Sequence, residues 1–325
     1  MTPLERALGE RIRAEGPISV EAYMEACNAY YYATRDPLGA GGDFTTAPAV
    51  SQMFGELVGA ALADCWKRAG APAGAIYAEL GPGRGTLAAD ALRVLRSAGF
   101  DGEVHLVETG PMLGAMQKNA VPEAVIHESI DDLPTRPLLM AANEFLDALP
   151  VRQEVDGIER RVTIAGGRLA FDRDGEIVET SPARDQAVSA IARRLAQSGG
   201  VALLIDYGHS RSGPGETLQA VRGHRFAPTL GEPGEQDLTA HVDFQAVERA
   251  ARSAGACVSP LATQGEWLRR LGIEARAAAL TRSNPDQGDD IRTALDRLTS
   301  AEQMGDLFKV IALRSPEWPE PAGFA

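Results

Sequence analysis

Ile76-Tyr77-Ala78-Glu79-Leu80-Gly81-Pro82-Gly83-Arg84-Gly85-Thr86 decides the reading of this 325-residue chain. The apolar run 76–80 is short enough for a buried strand, and Leu87, Ala91, Leu92 and Leu95 repeat at helical spacing over 86–98. Glycines at 81, 83 and 85 therefore sit in a strand–turn–helix junction, where the backbone bends sharply and a ligand can approach without meeting a Cβ. The N–H groups opening the next helix are then free to face a polar ligand. A dinucleotide fingerprint needs G-x-G-x-x-G; here the third glycine comes one place early. Glu79 just before the turn would repel a pyrophosphate and suits a ligand with a cationic amino-acid end, such as S-adenosylmethionine (SAM).

Outward from that turn, strand and helix alternate. Strands are expected at 103–107, 124–126, 138–142, 201–206, 258–261 and 307–313, and helices at 111–119, 184–197, 244–254, 267–281 and 289–298. Such alternation predicts an α/β fold, a mostly parallel, Rossmann-like sheet with helices on both faces and ligands at the strands' C-terminal ends. Residues 151–180 break the rhythm and read as inserted β-hairpins turning at Asp156-Gly157, Gly166-Gly167 and Asp174-Gly175. Upstream, helices are expected at 3–14, after Ser19, and at 51–67, with 30–49 a long loop. The expected organisation is a helical addition with a cofactor-covering loop over 1–70 and a core over 71–325. Within that core lie the hairpins and a Gly/Pro-rich, substrate-side loop over 208–243.

The candidate site follows from these strand ends. Glu108 closes the second strand, where its carboxylate either accepts both ribose hydroxyls or is a solvated loop acid. Ser129 and Ile130, after the third strand, lie beside an adenine or, for Ile130, in the core. After the fourth strand, Asn143, Glu144 and Asp147 stand among apolar residues. Two desolvated carboxylates can hold a guanidinium by bidentate, charge-assisted hydrogen bonds and aim a nitrogen at a methyl group. Equally, acids favour a helix N-terminus, with Asn143 as its N-cap.

Composition narrows the functional classes. The formal charge of −13 and the lack of a Lys/Arg-rich run argue against general nucleic-acid binding and are compatible with a cationic substrate. Three scattered cysteines, without C-x-x-C spacing, and five dispersed histidines give no disulfide framework and no metal site. No run of about 18 apolar residues suggests a membrane span. The amphipathic, glutamate-bearing start MTPLERALGERIRAEG lacks the apolar core of a secretion signal, so a cytoplasmic location is expected.

DPLGAGGDFTTAPAVSQMFGE (36–56), ELGPGRGTLAADALR (79–93), ANEFLDALPVRQ (142–153), LLIDYG (203–208), PGEQDLTAHVDF (233–244), TQGEWLRRLGI (263–273) and MGDLFKVIAL (304–313) run through nearly the whole chain in order. In these segments the chain resembles the MidA-type family of class I SAM-dependent methyltransferases. Mitochondrial members of that family are complex I assembly factors that methylate an arginine of a complex I core subunit. The resemblance implies a seven-stranded core with a helical N-terminal addition. It implies cofactor contacts from Gly81, Gly83 and Glu108, and the candidate cofactor-binding set around them also takes in Glu79, Gly85, Thr86, Ser129, Ile130, Asn143 and Thr46. It also implies that Asp43-Phe44-Thr45-Thr46 folds over the cofactor and that 237–243 closes the substrate side. His241, otherwise a loop histidine, becomes a candidate substrate contact or proton acceptor beside Glu144 and Asp147. Pro48-Ala49-Val50 stands where the family usually carries an acid. The expected reaction is methyl transfer to a protein arginine. The alternatives are an assembly factor that binds SAM without catalysis and a nicotinamide-dependent oxidoreductase. Oligomeric state stays open, a homodimer included.

Overall fold

The computed structural model describes residues 2–34 and 45–324. Seven strands form the path of the central sheet, and only these are numbered: β1 (Ile76–Leu80), β2 (Val104–Val107), β3 (Val125–His127), β4 (Leu138–Asn143), β5 (Gly200–His209), β6 (Cys257–Val258) and β7 (Phe308–Arg314). Their order across the sheet is β3-β2-β1-β4-β5-β7-β6, with Val242–Asp243 and Ala262–Thr263 as short extra pairings on β5 and β7. Neighbours from β3 to β5 are parallel, whereas β7 runs antiparallel to both β5 and β6. The chain leaves β1 toward β2 on one side and returns to β4 on the other. The cleft between β1 and β4 is thus a topological switch point, the place where such sheets bind ligands.

The period of two along β1 divides the core into two layers. Tyr77 faces a cluster with Phe54, Leu62, Leu87, Leu95 and Trp267. Ile76, Ala78 and Leu80 face the other, with Val188, Ile191, Phe244 and Val247. The helix Gln52–Arg68 lies within the first layer, capped by the Ser51 hydroxyl, which accepts from the Met53 N–H. It packs on helix Thr86–Ser97 so closely that a Cβ on Gly59 would lie 2.5 Å from the Ala91 carbonyl oxygen, and one on Gly55 2.6 Å from Asp90 Cβ. A third cluster joins helices Pro3–Glu15 and Val20–Thr34 to Val162 of the insertion and to Leu218, Ala220 and Leu238.

Several expectations shift. The loop expected from residue 30 begins later, because the second helix continues to Thr34 and buries Tyr31; Ala47–Val50 is a short helix with Pro48 in its first turn. Residues 35–44, including Asp43 and Phe44, lie outside the described residues. The turns at Asp156-Gly157 and Gly166-Gly167 are hairpin turns with positive φ at both central residues. The expected hairpin at Asp174-Gly175 is not one: Ile177–Thr180 pairs with Arg152–Val155, burying Ile177 beside Val155. The expected loop 208–243 contains a three-stranded sheet of Gln219–Arg222, Arg225–Ala227 and Asp237–Thr239. Finally, Gly272 at φ +87° splits the helix expected over 267–281.

Candidate active site

The register of the sheet brings the candidate residues to one level. Leu80 pairs with Val107 on one side and Ala142 on the other, so Gly81, Glu108 and Asn143 lie together at the C-terminal edge. Around them opens a cavity of about 770 Å³. Its wall includes every cofactor candidate except Gly85, which shapes the turn from behind.

The glycine turn is built for close approach. Gly81, Gly83 and Gly85 have φ of +60°, +52° and +81°. A Cβ on Gly81 would come within 3.2 Å of the Phe145 ring, and one on Gly85 within 3.2 Å of Ala120 Cβ. Gly85 occupies the N-cap of helix Thr86–Ser97 without a side-chain cap, and Thr86 and Leu87 of that first turn line the cavity. Glu79 is 2% exposed and accepts from the Tyr77 hydroxyl at 2.8 Å. Burial pushes its carboxyl up to about 8.

Glu108 is held in advance. Its Oε1 accepts from the Gly110 N–H at 2.7 Å and its Oε2 from Gln117 Nε2 at 3.0 Å. Gln117 also donates to the Gly83 carbonyl at 2.8 Å, tying the acid to the glycine turn. Desolvation nonetheless raises the Glu108 carboxyl above its ordinary range. The Ser129 hydroxyl is committed to capping the turn Ile130–Asp132, accepting from the Asp131 N–H at 3.2 Å. Ile130 both lines the cavity and packs on the core beneath. Thr46 caps nothing with its side chain and lies on the wall.

No helix follows β4, so the reading of Asn143 and the acids as a helix start does not hold. Instead Glu144 has φ +51°, an uncommon conformation for a residue with a Cβ, and its N–H is tied to the Ile205 carbonyl at 2.9 Å. Its Oε1 accepts from Asn143 Nδ2 at 3.1 Å and from the Ala47 N–H at 3.3 Å. Burial, then the charge of Asp147, lifts its carboxyl to about 8. Asn143 Oδ1 is buried without a hydrogen-bond partner among the described residues.

The two acids do not share the wall as expected. Glu144 faces the cavity, whereas Asp147 sits behind it, 5% exposed, next to the equally buried Asp206. Asp206 Oδ2 accepts the N–H groups of Leu146 and Asp147 at 2.9 and 3.1 Å, which curls the loop and turns Asp147 inward. Burial raises both carboxyls, Asp206 well above its usual value, with Asp147 and Glu144 adding to the effect. His241 is also off the cavity. Its ring packs edge-on against Tyr207 at 5.5 Å between centroids, and burial lowers its basicity. The structure therefore places His241 against Tyr207 and not beside Glu144 on the cavity wall.

Sequence reading missed the groups that hold this region. Arg184 is buried and donates to four carbonyls: Leu146, Asp147, Ala240 and His241. The Tyr32 hydroxyl donates to Asp237 Oδ1 at 2.8 Å, and Tyr32 lines the cavity. Asn28 donates to the carbonyls of Ala148 and Leu238, stitching the second helix to both loops. Tyr32 stands just before a segment that matched a family pattern, but Arg184 lies in none of them, and nothing in their local periodicity marks an arginine or tyrosine as structural.

The arrangement suits SAM. It combines side-chain-free backbone, an uncapped helix start, a preset carboxylate beyond the second strand, and an orphan acceptor on Asn143. A family model described as "Putative S-adenosyl-L-methionine-dependent methyltransferase" matches residues 57–172 and 155–261. The mitochondrial protein arginine methyltransferase NDUFAF7 homolog of Drosophila melanogaster is 35% identical over 370 residues, covering 95% of this chain and 84% of that protein. The mitochondrial protein arginine methyltransferase NDUFAF7 of Homo sapiens is 31% identical, over 96% of this chain and 83% of that protein. A Burkholderia thailandensis protein solved with S-adenosyl-homocysteine superposes with a TM-score of 0.87 at 28% identity, covering 98% of this chain and 93% of that one. The expected cytoplasmic location is corrected by these names, since the curated relatives are mitochondrial proteins. Among the described residues no helix is long and apolar enough to cross a membrane. The nicotinamide alternative, already disfavoured by the glycine spacing, falls as well: the chain belongs to the family of SAM-dependent methyltransferases that includes the NDUFAF7 enzymes.

Proposed function

We propose that this methyltransferase acts on an arginine side chain of a partner protein, with Glu144 holding the acceptor guanidinium. The observation that carries the reading is Glu144 itself. It is a desolvated carboxylate on the cavity wall, at the switch point, fixed by Asn143 and the Ala47 N–H in a backbone conformation that costs energy to hold. In the proposed arrangement the glycine turn and Thr86 surround the amino-acid end of SAM, with Glu79 matching its ammonium. Glu108 accepts the ribose hydroxyls, Ser129 and Ile130 flank the adenine, and Asn143 and Thr46 close the remaining sides.

When bound, SAM supplies a methyl group already activated on a sulfonium. The chain contributes positioning and electrostatics. Glu144 accepts two N–H groups of the guanidinium, fixes its plane, and draws positive charge away from the attacking nitrogen. Asp147 and Asp206 stand behind it, where burial favours their neutral form and Asp206 holds the loop by accepting its N–H groups. The proton of the methylated nitrogen can leave after transfer, so no dedicated base is required.

The curated relatives are named protein arginine methyltransferases, which supports arginine as acceptor. The family resemblance points further, to a complex I core subunit. Mass spectrometry of that subunit from cells with and without this protein tests it. Methylarginine that disappears with the protein is expected, and an arginine unchanged in both removes that acceptor. Light scattering of the purified chain decides between a monomer and a homodimer.

A further inference from the structure

The cavity reaches beyond the residues assigned to the cofactor. Helix Val20–Thr34 lays one face along its wall, with Glu25, Asn28, Ala29, Tyr32 and Ala33 at the i, i+3, i+4, i+7, i+8 spacing of a helical stripe. Contacts at three levels fix where that stripe runs. Glu21 pairs with Arg152 at 2.6 Å, and Asn28 donates to the Ala148 carbonyl. The Tyr32 carbonyl oxygen lies 3.1 Å from the place of a Cβ on Gly110, beside Glu108. The helix thus runs from the chain at 150–152 toward the loop that holds Glu108. Glu25, between Glu21 and Asn28, stands at the far end of the cavity, level with Leu149 and Pro150. At about 1.5 Å per residue, Glu25 is about 10 Å along the helix axis from Tyr32. Ala29 and Ala33 keep the stripe low between them, and Leu149, Pro150 and Ala187 add apolar wall.

The charges on the wall divide in the same way. Glu79, Arg84, Glu108 and Glu128 belong to β1–β3 and the turns that follow them, the cofactor side. Away from those turns the described wall carries two charged residues, Glu144 and Glu25, both acids. Glu144 is already matched to the acceptor guanidinium. Glu25 is exposed and has no hydrogen-bond or ion-pair partner among the described residues, whereas Glu21, one turn earlier, is neutralised by Arg152. We propose that Glu25 is a specificity-determining residue for the protein substrate, pairing with a lysine or arginine a few positions from the acceptor arginine. The inference rests on the arginine reading above. Continuity of the cavity and charge complementarity give the occupant: a chain whose arginine reaches Glu144 passes Ala148, Leu149 and Pro150, none of them charged, and meets Glu25 as the next charged group. The span of about 10 Å equals about three residues of extended chain, so the second cation stands within about five positions of the arginine.

The test uses the full chain, SAM, and peptides with one central arginine on a glycine–serine background. A single lysine is walked outward from the arginine on either side, with uncharged norleucine at the same positions as control. Wild type is expected to show KM about fivefold lower for lysine at one offset within about five residues, with kcat unchanged and no gain from norleucine, as one partly solvated ion pair allows. Glu25→Gln is expected to raise KM for that peptide to the value of the plain one. Glu25→Arg is expected to turn the preference toward a glutamate at the same offset, which a merely structural role would not produce. SAM affinity and melting temperature are read for both variants. A wild type indifferent to the lysine position, a Glu25→Gln variant that keeps the preference, or one that raises KM equally for every peptide overturns the role of Glu25 and leaves arginine methylation standing. If wild type methylates none of the peptides while it binds SAM, the arginine reading falls and the role of Glu25 with it.

Discussion

Glu144→Gln separates acceptor chemistry from cofactor binding. Glutamine keeps an oxygen for Asn143 Nδ2 and the Ala47 N–H, so the loop geometry is retained while the charge is lost. Removing one partner of a buried ion pair costs about 3–5 kcal/mol, or roughly a hundredfold to a few thousandfold in kcat/KM for the acceptor. Protonation modifies that figure. The folded carboxyl ionises near 8, so at pH 7 about one site in ten carries the charge before ligands arrive. A sulfonium beside it pulls the midpoint down, so the wild-type rise is centred at or below pH 8. The gap between wild type and variant is therefore expected to widen by up to about tenfold from pH 7 to pH 9, with the variant flat. The assay is label transfer from SAM to an arginine peptide, with cofactor affinity read in parallel from tryptophan fluorescence. Activity within about threefold of wild type refutes the role of Glu144. A SAM affinity that falls as steeply as turnover moves the residue into the cofactor site.

Glu108→Ala should weaken SAM binding roughly tenfold to a hundredfold, as expected for charge-assisted hydrogen bonds to a sugar, and Gln117→Ala less, because the Gly110 N–H still orients the acid; calorimetric titration checks both. Glu79→Gln should raise stability as pH climbs. The folded carboxyl is raised by burial, so wild type loses stability from about pH 4.5 upward until the folded group ionises near 8; melting curves should show the variant's advantage growing over that window and levelling above it. Gly81→Ala places a Cβ at φ +60° and 3.2 Å from Phe145, so it should lower the melting temperature and weaken SAM binding about tenfold; an unaltered affinity would mean the turn tolerates bulk.

The central sheet was legible because its strands are apolar runs separated by helices of clear period, and the glycine turn because three glycines between strand and helix leave few other uses. Glu108 and Glu144 were legible as acids at strand ends. Asp147 was not legible as a buried residue. Three positions after Glu144 it looks like a second arm of a clamp, but the turn is set by Asp206, 59 residues later, whose carboxylate gathers its N–H. Arg184 escaped for the same reason: its four partners come from two distant loops. The strands of 219–239 were hidden by brevity, three or four residues each among glycines and prolines, where periodicity has nothing to count.

The contact at Gly55 and Gly59 has a consequence for dissecting this protein. Helix 52–68 precedes the sheet and reads as part of an accessory piece, yet it supplies Phe54, Leu62 and Trp66 to the layer over β1 and meets the helix after the glycine turn at Gly59 against the Ala91 backbone and at Gly55 against the Asp90 side chain. A fragment starting at residue 71 would present that layer to water with nothing to replace it. Truncation series should therefore stop short of residue 51, because a minimal folded unit of this chain includes helix 52–68.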